Sequence, residues 1–251
     1  ERADHILEDA KNLAFAQGLE LVEDTSLLKE VAGLVEYPVV LMGEISKEFF
    51  DLPAEVLMTS MKEHQKFFSV KNPKTNRIEK FITVANRTTA DNGKTIIAGN
   101  QKVLFARLSD AKFFWENDLR IAKSGMIEWS EKLEKVTFHN KLGSQSERIK
   151  RISLMACVAS KLLNANEELA KRAAKLCKVD LSSEMVGEFA KLQGLMGCYY
   201  AAEAGLPNEI GAASKDHYSP LGPTDIVPSA PVSVAVALAD KIDTLTGFWS
   251  I

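Results

Sequence analysis

The segment that most constrains how this chain can fold is near its end: from about Ala230 it reads VSVAVALADKIDTLTGFW, apolar on nearly every side and then abruptly acidic. A helix apolar all round belongs at the centre of a bundle. Asp240 follows that stretch directly, where a carboxylate loses hydration and requires a cationic partner, a metal or a water-filled site. Asp243 shares the same edge of the helix three residues on. Two readings follow. One is a metal- or phosphate-handling site in a helical bundle, with His139 in FHNKLGS and Asp180 in LCKVDLSSE as further contributors. The other is a structural ion pair with a lysine, an arginine or a helix terminus, the commoner use of such residues.

The rest of the chain changes texture partway along. Ile6, Leu7, Ala10, Leu13 and Ala14 have helical spacing, and the pattern breaks at Gly18, so Glu1 to Ala32 reads as a helix and a connector. VEYPVVLMGEI from Val35 is a short β-rich run whose Pro38 predicts an edge position or a strand start. Pro53 suits the first turn of a helix through AEVLMTSMKEH, and KFFSV, KNPKTNR and FITVAN read as a hairpin. Gly93 to Leu119 reads as a strand or turn feeding a long amphipathic helix. Strand signals largely vanish beyond Gly125. Ile149, Ile152, Met155, Ala159 and Leu162 form one helical stripe; Met185, Val186, Phe189, Leu192, Met196 and Tyr199 or Tyr200 form another. The expectation is an α+β fold in two modules, residues 1–125 mixed and residues 126–251 all helical.

With 251 residues, 46% hydrophobic and 26% charged, the composition is that of ordinary globular domains. No apolar run reaches the length of a membrane span, and the first residues lack a secretory signal, so a cytoplasmic location is expected. Cys157, Cys177 and Cys198 are odd in number and lie in apolar helical segments, which predicts buried free thiols rather than a disulfide framework or zinc site. The net charge of -3 gives no general attraction for phosphate, so any nucleic-acid contact needs a local basic patch.

Two such patches are present. Lys62, His64, Gln65 and Lys66 adjoin Phe67 and Phe68, combining cations and amides with aromatic surface as RNA-contacting patches do; a helix end running into a half-buried strand has the same look. Asn100, Lys102, Arg107, Lys112 and Arg120 form a second series, diluted by Asp110, Glu116 and Asp118, and a solvated helix face is its ordinary meaning. GxxxxGK[ST], GxSxG, HExxH and a dinucleotide glycine fingerprint are all missing, so nothing here assembles an ATP site.

The phrase LADKID resembles the last metal-ligand motif of HD-domain phosphohydrolases. Those enzymes require an adjacent His-Asp pair, and none of His5, His64, His139 and His217 precedes an aspartate; where the pair is expected the chain reads AAKLCKVDLSSEM. A degenerate HD-like site with His139, Asp180 and Asp240, and no bound metal, is the expectation.

At the scale of whole phrases, LVEYPVVLMGEI, LPAEVLMTSMKEHQKFFSV, IIAGNQKVLFARLSDAKFFWENDL, FHNKLGSQSERI, DLSSEMVGEFAKLQGLMGCYYA, HYSPLGPTD and VALADKIDTLTGFW resemble, in order, the β subunit of the bacterial two-subunit glycyl-tRNA synthetase. The resemblance implies a B3/B4-like α+β domain, related to part of the phenylalanyl-tRNA synthetase β subunit, then a degenerate HD-like helical domain. It implies a piece cut from a longer subunit, which continues toward a PTGSKDP-type segment and an anticodon-binding domain. It further implies an α subunit partner in an α2β2 assembly, which holds the adenylation site and uses ATP with Mg, and tRNA(Gly) as the second partner. No cofactor is expected on this chain. Lys62, His64, Gln65, Lys102, Arg107 and Arg120 are the candidate tRNA contacts, selected on charge and context. An HD-type phosphohydrolase and a B3/B4-type editing domain are the alternatives, although a glycine pocket rejects larger amino acids by steric clash and has less need of editing.

Overall fold

The computed structural model describes residues 1–251. It divides into two compact units, Glu1–Phe113 and Phe114–Ile251.

In the first unit, α1 (Arg2–Phe15) and α2 (Thr25–Leu34) cover one face of a four-stranded antiparallel sheet. The strands are β1 (Glu20–Leu21), β2 (Val39–Glu44), β3 (Phe68–Lys71) and β4 (Ile78–Ala85), in the order β1-β3-β4-β2. β3 and β4 form the expected hairpin, and β2 takes the expected edge place just after Pro38. α2 replaces what reads as connector. Its signal is Asp24, whose carboxylate accepts the Leu27 amide as an N-cap, ahead of the helically spaced Leu27 and Val31. Ile6, Ala10, Leu27 and Val31 pack on Phe68, Val70 and Ile82.

On the other face, Phe81 is fully buried and stacks on Phe67 at 4.6 Å. Its ring lies across Gly43, its partner on β2; a Cβ at Gly43 would stand 2.3 Å from the ring, so only glycine fits there. Next come α3 (Ala54–Ser60), a π-helical turn (Met61–Gln65) that ends on left-handed Lys66, and the long helix α4 (Lys94–Lys123). The division between units falls inside α4. Its helical pattern has no sequence break there, whereas the sequence places the change of texture at Gly125.

The second unit contains α5 (Ile127–Lys132), a hairpin of β5 (Thr137–His139) and β6 (Gly143–Ser144), and the helices α6 (Gln145–Leu162), α7 (Glu167–Leu176), α8 (Glu184–Glu188), α9 (Leu195–Glu203), α10 (Asn208–Asp216) and α11 (Pro231–Trp249). The short hairpin is not signalled in the sequence. The stripe from Met185 to Tyr200 is buried as expected, yet it is not one helix: Gly194, at φ +79°, starts α9 afresh. The α6 stripe is rotated from the expected one. Ile149, Ile152, Ser153, Ala156 and Ser160 face the core, while Leu162 is exposed, because small residues let α6 approach Ala173 and Ala174 of α7 closely. α11 buries Val232, Ala235, Val236 and Ala239 but leaves Leu245 and Trp249 exposed, so it is central on one side only. None of the three cysteines forms a disulfide. Cys177 is buried, its thiol pushed up to about 12 by burial, while Cys157 and Cys198 are half-buried rather than buried as expected.

A closed charge cluster and two basic stretches

The apolar half of α11 carries Asp240 into the second unit, where its Oδ1 accepts from Lys178 Nζ at 3.1 Å and Arg148 Nη2 at 3.0 Å. Burial alone would raise this carboxyl; Lys178 and Arg148 outweigh it and hold it below the usual carboxylate range. Asp243, one turn on, takes both Nε and Nη2 of Arg151, at 2.6 and 3.2 Å. Arg148 lies 4.0 Å over the Phe138 ring and donates to Thr244 Oγ1. Three cations and two carboxylates thus interlock α6, α11 and the end of α7.

Lys178 serves several neighbours at once. Besides Asp240, its Nζ donates to His217 Nε2 at 2.9 Å and sits 4.6 Å over the Tyr218 ring. An ammonium needs an acceptor, so His217 presents a bare Nε2 and carries its proton on Nδ1, which donates to the Ala213 and Ser214 carbonyls. Burial, with the adjacent lysine, lowers His217 to about 3 and keeps it neutral. Lys241 closes the end of α10, donating to the carbonyls of His217, Tyr218 and Ser219.

The remaining HD-type candidates lie apart from this cluster's carboxylates. Asp180 turns to the start of α9, where one oxygen accepts the Gly194 and Gly197 amides. Burial raises it to about 6 in spite of those bonds. A Cβ at Gly197 would stand 3.2 Å from that oxygen and 2.6 Å from Ser214 Oγ, which accounts for the glycine. His139 packs edge-on against Phe248, and its Nδ1 accepts the Lys141 amide. No three His, Cys, Asp or Glu side chains converge as metal ligands. The residues present do not fit the metal of an HD hydrolase: a buried ammonium sits against the one well-placed carboxylate and would repel a divalent cation.

In the first unit, the basic stretch around the π turn is engaged with its own chain. Lys62 pairs with Asp24 and donates to Ser26 Oγ at 3.0 Å, and Lys66 pairs with Glu30 at 2.9 Å. Burial works against ionisation of Asp24, but its bonds from Lys62, the Leu27 amide and Ser26 lower it to about 2. His64 is exposed, and Gln65 is half-buried. Lys102 and Arg107 are exposed on α4. Arg120 belongs to the second unit and donates to Asn117 Oδ1. Sequence reading missed a cleft of about 390 Å³ in the first unit. Phe49, Phe105, Leu104 and Leu108 form its apolar wall, with Glu44, Glu79 and Lys80 at its rim. Its parts lie on β2 and the 3-10 turn Lys47–Phe49 that follows it, on β4 and on α4, and left no local signal. No helix of the chain is long and apolar enough to cross a membrane.

Fold and site together define an α+β protein of two units, the second holding a largely buried cluster in which Lys178, Arg148 and Arg151 neutralise Asp240 and Asp243. The model of the glycyl-tRNA synthetase beta subunit family matches residues 1–251, and the chain belongs to that family of aminoacyl-tRNA synthetase subunits. The Glycine--tRNA ligase beta subunit of Ruegeria sp. (strain TM1040) is 70% identical over 253 residues, covering 100% of this chain and 37% of the relative. That of Dinoroseobacter shibae is 66% identical (100% and 35%), and that of Phenylobacterium zucineum is 49% identical (100% and 38%). The chain therefore spans little more than a third of the length of these curated relatives.

Proposed function

We propose that this chain acts within a glycine–tRNA ligase, where it binds and orients tRNA(Gly) while glycine is activated by ATP and Mg on a separate α subunit in an α2β2 assembly in the cytoplasm. The observation that carries the reading is the family match along all 251 residues. The closed cluster around Asp240 supports it, because a site filled by Lys178 and Arg148 favours holding a fold together over activating water. In this reading residues 1–125 are a B3/B4-like domain and residues 126–251 a degenerate HD-like domain.

Charging requires the tRNA 3′ end to be held beside an activated amino acid, and positioning alone supplies a large part of such a rate. Among the candidate contacts, Lys102 and Arg107 are the best suited to phosphate, being exposed and without carboxylate partners; His64, Gln65 and Arg120 remain second candidates, and Lys62 must first leave Asp24. The test is glycylation by the assembled α and β enzyme and by each subunit alone. Charging only in the assembly, with a shallower salt dependence of tRNA binding in the Lys102→Ala/Arg107→Ala variant, is the expected result. Hydrolytic or ligase turnover by the β polypeptide alone overturns the reading.

A further inference from the structure

We infer that the cleft between the end of β2 and α4 receives one unpaired nucleobase, stacked on Phe105, with its phosphates held outside by Lys102 and Arg107; this rests on the tRNA-binding reading above. The cleft, about 390 Å³, is of the size that accepts a small organic ligand. Its wall is aromatic: Phe105 stands edge-on to Phe49, centroids 5.3 Å apart, and yet is 48% exposed. A phenylalanine buttressed from behind and bare in front is a stacking platform, and every base offers a π face to it.

The rim selects a base over a phosphate. Glu44 is matched by Lys80 at 2.9 Å, and Glu79 and Lys47 line the cleft beside them, so two cations stand against two carboxylates and the cleft has no net positive charge to draw in an anion. Carboxylates and the Gln101 amide are instead suitable partners for the exocyclic amino and ring N–H groups of a base. Positive charge lies just outside. Gln101, Leu104, Phe105 and Leu108 face the cleft from α4, and helical geometry puts Lys102 on one flank of that face and Arg107 on the other. An unpaired nucleotide laid across α4 satisfies both features, base inward and backbone on the flanks.

The experiment measures tRNA(Gly) binding by the assembled full-length synthetase over a range of salt concentrations. Phe105→Ala is expected to weaken binding about ten-fold, the scale of one lost base–aromatic stack, with no change in salt slope, and Phe105→Trp to restore it. Gln101→Ala, a polar and partly exposed site, provides an independent loss should Phe105→Ala perturb folding. Lys102→Ala/Arg107→Ala lowers the slope instead. If Phe105→Ala and Gln101→Ala both bind as the parent does while the lysine–arginine variant loses slope, the cleft inference is wrong and the tRNA reading stands. If none of the three alters affinity or slope, this surface touches no tRNA and both fall.

Discussion

Lys178 and Asp240 meet at 3.1 Å inside the second unit, their side chains 3% and 10% exposed, and each depends on the other for its charge to be tolerable there. The same ammonium also supplies the proton that the His217 Nε2 lone pair accepts.

Loss of this lysine is therefore expensive. Lys178→Ala leaves Asp240 with Arg148 alone and His217 without a donor, and removing one member of a buried pair costs about 3–5 kcal/mol. Urea unfolding should show that loss. Combining Lys178→Met with Asp240→Asn should cost less than the two single changes summed, since each single change strands the other member of the pair. A Lys178→Ala variant within about 1 kcal/mol of the parent would contradict the pairing.

His217 in this cluster and Asp180 against the start of α9 give the acid response two opposed parts. His217 falls from an ordinary 6.5 to about 3, so its contribution is complete above 6.5 and is lost as pH drops toward 3. Asp180 rises from 3.8 to about 6, so the cost of ionising it in the fold appears as pH climbs from 3.8 to 6. Between about pH 4 and 6 the two slopes cancel in sign. Asp180→Asn retains an oxygen to accept the Gly194 and Gly197 amides but removes the titration. Its stability should then rise more steeply with pH across that window than the parent's; equal slopes in unfolding measured from pH 4 to 6 would refute this.

What the sequence made legible was the need, and not its answer. Asp240 stands out because the apolar run before it forbids an unpartnered charge, but Lys178 and Arg148 come from α7's end and α6, and no local pattern marks them as its partners. Lys62 illustrates the opposite failure: beside Phe67 and Phe68 it looks available for RNA, and only the fold brings Asp24, the N-cap of α2, against it. Helices were readable where leucines and valines repeat. The buried face of α6 was not, because Ala156 and Ser160 face the core for their small size, a choice made by the approach of α7. The cleft beside Phe105 escaped for the same reason, being built from chain segments around Glu44–Phe50, Glu79–Lys80 and Gln101–Leu108 that meet only in space.

Metal dependence offers a direct check on the second unit. With an ammonium against Asp240, and His139 and Asp180 directed elsewhere, stability should be indifferent to metal. Dialysis against EDTA, then addition of manganese or zinc, should leave Tm unmoved, and elemental analysis should find well under one metal per chain. A stoichiometric metal lost together with several degrees of Tm would mean that Lys178 yields its place.

A final prediction concerns the strand that leads into the cleft. Gly43 precedes Glu44 on β2 and pairs with Phe81, whose ring fills the space a Cβ would take. Gly43→Ala must push Phe81 off Phe67, at about 1–3 kcal/mol for overpacking a rigid core. Phe81→Leu removes the obstructing ring atoms, so Gly43→Ala should cost markedly less in that background, a coupling of at least about 1 kcal/mol in a double-mutant cycle. Because β2 and β4 also set Glu44 against Lys80 at the rim, the single Gly43→Ala variant should weaken tRNA binding by the assembled enzyme, and Phe81→Leu should return part of it. Strict additivity in stability would place the ring somewhere other than over Gly43.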